Sequence, residues 1–114
     1  MKFDYTIDDK IVFFTFTGDL IGENQGPELV EIAGNLLNQG VNLITIDISS
    51  VRFINSSGIG VLITLLTKFR NKGGDLVLIN PSDQVNNLLI ITKLNAIFTI
   101  TKDKKEAIQK LKNN

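Results

Sequence analysis

A chain of 114 residues with 43% hydrophobic side chains has the size of one domain, 1–114, able to hide roughly two-thirds of its unfolded surface without a metal or disulfide staple. It contains no cysteine and no histidine, which removes disulfides, thiolate chemistry, zinc-thiolate sites and the hydrolase triads built on an imidazole base. Lys+Arg and Asp+Glu both number 12, so the total shows none of the basic excess of a direct nucleic-acid binder.

The N-terminus, Met1-Lys2-Phe3-Asp4-Tyr5, lacks an apolar signal segment. Phe3 to Ile7 alternates apolar and polar residues, Asp8-Asp9-Lys10 is a short polar turn, and Ile11 to Thr17 is strongly β-prone up to Gly18. Two such runs joined so tightly predict an antiparallel hairpin. Asp19 to Gly26 reads as a polar, glycine-bearing loop anchored by Leu20 and Ile21. Pro27 suits the first turn of a helix, where its missing N–H has no partner to lose. Leu29, Ile32, Ala33 and Leu36 follow at helical spacing, with Val30 and Leu37 widening the stripe. Gly40, after Asn38-Gln39, is suited to the left-handed cap. Leu43, Ile44, Ile46 and Ile48 are nearly continuous, as in a strand covered on both faces.

After a short polar loop a second helix begins at Ser56, with Ile59, Leu62, Ile63, Leu66 and Phe69 on one face and Val61 and Leu65 broadening it. Asn71-Lys72-Gly73-Gly74 ends it. The longest apolar run, Ile59 to Leu66, is broken by Gly60 and Thr64 and is too short to span a bilayer, so the expectation is a cytoplasmic protein with no membrane contact. Leu76 to Ile79 is another buried strand. Ser82 or Asp83 caps a third helix carrying Val85, Leu88, Leu89 and Ile91. Ile97 to Ile100 is a last strand, and Asp103 to Leu111 a terminal helix held by Ala107, Ile108 and Leu111. Its lysines, with Lys102, form a solvated face rather than a nucleic-acid patch. The fold class is α/β: an open mixed sheet of about five strands with four helices, an initial β-hairpin and then alternating β and α, with right-handed connections. Strand order stays open.

The junction Asp47 to Gly60 carries the chemistry. A helix opening there presents unpaired N–H groups and the positive end of its dipole beside two serines. Asn55, Ser56 and Ser57 are all good N-cap types, and a plain structural cap is the commoner meaning of such residues in α/β domains. Gly58-Ile59-Gly60 begins a dinucleotide fingerprint, but Ile63 stands where the third glycine or alanine belongs, and no P-loop is present. The serines do not match Gly-x-Ser-x-Gly. There is no Ser-x-x-Lys, and Lys68 and Lys72 are helical turns away. These residues name no catalytic group and no metal ligand.

The stretch Asp47-Ile48-Ser49-Ser50-Val51, followed by Phe53-Ile54-Asn55-Ser56-Ser57-Gly58-Ile59-Gly60-Val61-Leu62, resembles the signature of STAS domains, and more narrowly of the small bacterial anti-sigma factor antagonists. Gly18-Asp19-Leu20, Leu76-Val77-Leu78, Val85-Asn86-Asn87-Leu88-Leu89 and Lys93-Leu94-Asn95-Ala96-Ile97-Phe98 extend the resemblance over essentially the whole chain. It implies a non-enzymatic regulator that binds an anti-sigma factor, itself a serine kinase, while unphosphorylated. Phosphorylation ends the complex and a serine phosphatase restores it. The kinase brings ATP and magnesium, so no cofactor is implied here. The phospho-acceptor maps onto Ser56, with Ser57 as runner-up. The implied partner surface is Asn55, Ser56, Ser57, Gly58 and Gly60, with Asp19 and Asn24 from the 19–25 segment. Arg52 is the cation nearest in sequence to a phosphate on Ser56. Asn55 stands where the family most often has Asp, keeping the cap but removing a charge. Two other readings are a constitutive STAS interaction module or scaffold that never uses the serine, and a small-ligand-binding domain.

Overall fold

The alternating N-terminal run forms β1 (Lys2–Asp8), folded back on β2 (Ile11–Leu20). Both residues of the Asp9-Lys10 turn have positive φ, 49° and 67°, the mirror-image turn whose twist matches that of a hairpin. The structure, a computed structural model, describes residues 2–112. Met1, Asn113 and Asn114 of the expected 1–114 domain lie outside the described residues. The elements that follow are α1 (Gly22–Asn38), β3 (Leu43–Ile54), α2 (Ser56–Asn71), β4 (Asp75–Ile79), α3 (Asp83–Ile91), a single 3-10 turn at Leu94–Ala96, β5 (Thr99–Thr101) and α4 (Lys104–Lys112).

The strand order left open by the sequence is β1-β2-β3-β4-β5. β1 is antiparallel to β2, and the remaining pairs are parallel. Right-handed crossovers that always advance in the same direction put their helices on one face. Accordingly Leu29, Ala33 and Leu36 of α1, Leu62, Leu65 and Phe69 of α2, and Val85 and Leu89 of α3 share one core with Val12, Phe14, Ile44, Ile46, Leu76 and Leu78. The opposite face is roofed by α4, whose Ala107 and Leu111 pack on Ile11, Phe13, Val77 and Ile79. Among the described residues no helix is long and apolar enough to cross a membrane.

Several boundaries differ from expectation, each for a local reason. β3 does not stop at Ile48. It continues alongside β2 through Thr17↔Ser50, Gly18↔Val51 and Leu20↔Ile54, with two register shifts that absorb its polar residues while Val51 and Ile54 stay buried. The Asp19–Gly26 loop is absent: β2 runs to Leu20 and α1 starts at Gly22, five residues before Pro27. Pro27 therefore sits inside the helix, where it leaves the Glu23 carbonyl without its donor. Both residues lie on the exposed side, where water can serve that carbonyl. Ile63 and Ile91 are 38% and 78% exposed rather than core anchors. The last strand begins at Thr99, because Leu94–Ala96 is a 3-10 turn and Phe98 fills the core. Gly40, with φ of 90°, takes the expected left-handed cap.

Candidate functional site

The parallel strands β2 and β3 end side by side, so the helices that follow them start side by side. Of the three candidate caps, the structure uses Asn55. Its Oδ1 accepts from the Gly58 N–H at 2.7 Å, closing the first turn of α2, and accepts the Ser57 hydroxyl at 3.0 Å. The same oxygen accepts the Gly22 N–H at 3.3 Å. That bond matters to α1, whose own N-cap, Ile21, has no side chain able to make one. One amide thus serves two helix N-termini, each of which would otherwise leave donors unpaired.

The other end of the amide finds a group that sequence reasoning passed over. Asn55 Nδ2 donates to both carboxylate oxygens of Glu23 at 3.3 Å. Glu23 lies in the first turn of α1, where a negative charge complements the helix dipole. An Asp at 55 would face that carboxylate with a second charge. Glu23 therefore gives a physical reason for the amide at this position.

Small residues allow the two helices to come so close. Gly58 is buried, and a Cβ on it would press on the Leu20 carbonyl and lie 3.0 Å from Ile54 Cγ2. A Cβ on Gly22 would strike the Ser57 carbonyl, and one on Gly26 would lie 2.6 Å from Val61 Cγ2. The four-residue spacing of Gly22 and Gly26, a helix face without side chains, was the sequence signal for this approach. Gly60, in contrast, is exposed with open space around it. It borders an open depression of about 620 Å3 between α1 and α2, lined also by Gly22, Pro27, Val30, Ser57 and Thr64.

The two serines are held differently. Ser57 is half-buried and its hydroxyl is committed to Asn55. Ser56, the first helical residue of α2, is exposed. Among the described residues its hydroxyl has no hydrogen-bond partner. Asp19, at the end of β2, pairs with Arg52 at 3.5 Å, with the two side chains 42% and 77% exposed. Arg52, the cation nearest to Ser56 in sequence, thus has a carboxylate partner already, though an exposed pair of this kind contributes only about 0–1 kcal/mol. Asn24 lies exposed in the first turn of α1 rather than in a loop. Phe53, beside the junction, leaves 53% of its surface in solvent. Asp19, Asn24, Asn55, Ser56, Ser57, Gly58 and Gly60 thus gather at one end of the sheet, with Gly58 buried beneath the surface the others form. Among the described residues no cluster of acidic side chains suits a metal ion.

Comparison with known proteins gives a family match over residues 2–107, to the STAS domain. A Thermotoga maritima protein named "putative anti-sigma factor antagonist" is 29% identical over 110 residues, covering 96% of this chain and 97% of its own. A crystal structure of a Thermotoga maritima protein given the same description superposes with a TM-score of 0.86 at 28% identity, covering 96% of this chain and 94% of the other. The anti-sigma factor antagonist SpoIIAA in its unphosphorylated form shares the fold, with a TM-score of 0.75 at 20% identity over 99% of this chain and all of the other.

Proposed function

The chain belongs to the STAS domain family, and from that membership we propose that it is an anti-sigma factor antagonist, a non-enzymatic cytoplasmic regulator formed by one domain over residues 1–114. In its unphosphorylated form it binds an anti-sigma factor with serine-kinase activity. That kinase transfers phosphate to Ser56, the complex dissociates, and a serine phosphatase resets the cycle. The docking surface comprises the exposed residues around Ser56, namely Asp19, Asn24, Asn55, Ser57 and Gly60, with Gly58 setting the backbone beneath them.

The observation that carries this reading is the exposure of the Ser56 hydroxyl beside a fully engaged cap. A kinase can reach it without breaking a bond on which the fold depends. A phosphate there adds about −1.5 to −2 charges and three acceptor oxygens. At a helix N-terminus it meets N–H groups and a favourable dipole. The domain should therefore stay folded while the docking surface changes sign. Ser57 supports the assignment by contrast, because modifying it would cost the Asn55 cap a donor.

The test uses Ser56→Ala as bait to capture the kinase, followed by incubation of the wild-type protein with that kinase and ATP. Mass spectrometry should find one phosphate, on Ser56, and none on the Ser56→Ala variant. Phosphate on Ser57 alone, or unchanged kinase binding after full modification of Ser56, would defeat the switch. The second outcome would leave the constitutive STAS module standing.

A further inference from the structure

The outer edge of β1 has a pattern that the Ser56 surface does not explain. β1 is a seven-residue strand at the end of the sheet, whereas the opposite edge, β5, has only three residues. A two-residue hairpin turn is closed by a hydrogen-bonded pair, here Asp8 with Ile11. The even-numbered residues of β1 therefore direct their backbone groups at β2, and Phe3, Tyr5 and Ile7 turn theirs outwards. The side chains of these same three residues lie on the face that α1 covers further in. Phe3 packs against the main core, and Tyr5 lies tilted against Phe14 with ring centroids 5.0 Å apart. Tyr5 and Ile7 nevertheless stay 41% and 49% exposed. The edge thus offers free donors and acceptors beside an apolar strip with no roof.

We propose that this edge is a self-pairing surface: β1 of one molecule adds antiparallel to β1 of a second copy, about a two-fold axis through Tyr5, giving one continuous sheet. The occupant follows from the order of side chains. With Tyr5 facing Tyr5, Phe3 faces Ile7 and Lys2 faces Asp8, each twice by symmetry, and Asp4 faces Thr6. Every outward-directed backbone group in Phe3, Tyr5 and Ile7 then finds its counterpart. The neighbouring registers that keep this parity fail on charge. Centring on Asp4 sets Asp4 against its own copy, and centring on Thr6 sets Asp4 against Asp8 twice. Opposite charges across a strand pair stabilise it and like charges destabilise it, so the charges select the Tyr5 register. They also oppose indiscriminate edge pairing, the usual hazard of an open strand.

Sedimentation velocity of the whole chain from micromolar to millimolar concentration tests this, with circular dichroism confirming that each variant is folded. The wild-type protein should show a reversible monomer–dimer equilibrium. Lys2→Asp and Asp8→Lys, each replacing two attractions by two repulsions, should each weaken the dimer by about tenfold or more. The double variant Lys2→Asp/Asp8→Lys should recover most of the loss, since it restores opposite charges in the same register. A protein that stays monomeric at millimolar concentration overturns the proposal. So does a dimer whose affinity ignores the single changes, or one that the double change fails to rescue. Neither result bears on Ser56, which lies at the start of α2 and not on β1.

Discussion

Two helices of this fold have a serine at their N-terminal boundary, within a few residues of the preceding strand, and they use it in opposite ways. At the start of α3, Ser82 is the cap. Its hydroxyl donates to the Val51 carbonyl at 2.7 Å and accepts from the Val85 N–H at 3.4 Å, tying the helix to β3. At the start of α2 the cap is Asn55, one residue earlier, and Ser56 is left exposed at the first helical position. A serine at a helix N-terminus is therefore not a regulatory site by virtue of its place. What distinguishes the two is whether another side chain has already taken over the cap. Delegating the cap to Asn55 frees the hydroxyl for chemistry that the fold does not register.

The largest effect expected from this contrast is on partner binding. Ser56→Asp places a charge on the proposed docking surface, where unfavourable juxtaposition costs several kcal/mol, so its affinity for the captured kinase should fall by about 100-fold. Thermal unfolding should barely change. Ser82→Ala should do the reverse, removing about 1 kcal/mol of stability through the lost cap and its bond to Val51 while leaving kinase affinity within about twofold. Calorimetry of binding and of unfolding separates the two. If Ser56→Asp binds normally, or Ser82→Ala abolishes binding in a folded protein, the division of labour is wrong.

A smaller effect tests the floor beneath the site. Gly58→Ala forces a methyl group against the Leu20 carbonyl and Ile54 and should cost about 1–3 kcal/mol, as overpacking in a core does. Gly60→Ala, two residues on, meets open space and should stabilise the protein by about 0.5–1 kcal/mol, the helix preference for alanine over glycine. Denaturant unfolding of the pair gives the comparison directly. Equal costs at the two positions would mean that the close approach of α2 to β2 is not what Gly58 secures.

The fold class and the element order were legible because apolar periodicity switches cleanly between strand and helix, as at Ile44–Ile48 and Leu62–Phe69. The order of strands was not, since nothing local in a strand names its neighbour. Boundaries failed where a tertiary neighbour outweighed local signals. Gly22 and Gly26 read as loop residues until α2 lies against them, and Pro27 reads as a helix start until Glu23 is seen one turn before it. Ser49 to Phe53 look like a loop because their pairing with β2 needs two register shifts. The strand-to-helix junction on which the candidate site is proposed was legible in place, from Asn55 to Gly60. Which of its three polar residues caps the helix depended on Gly22 and Glu23, more than thirty positions away in the chain.

The smallest effect bears on the amide itself. Asn55→Asp should improve the cap in isolation, because a carboxylate accepts the Gly58 N–H and meets the helix dipole more favourably than an amide. Here it also loses the bond to Glu23 and sets two carboxylates against each other. The net change in stability should be small, about 0.5–1 kcal/mol unfavourable, since Glu23 is exposed and solvent screens the repulsion. In a Glu23→Gln background the repulsion is gone and Gln can donate to the new carboxylate, so Asn55→Asp should become neutral or stabilising. A double-mutant cycle by denaturant unfolding would yield a coupling of about 0.5–1 kcal/mol that shrinks as salt is raised. A coupling of zero at low salt would separate the amide from Glu23. It would leave the Ser56–Ser82 contrast intact, because that contrast needs only the Asn55 oxygen.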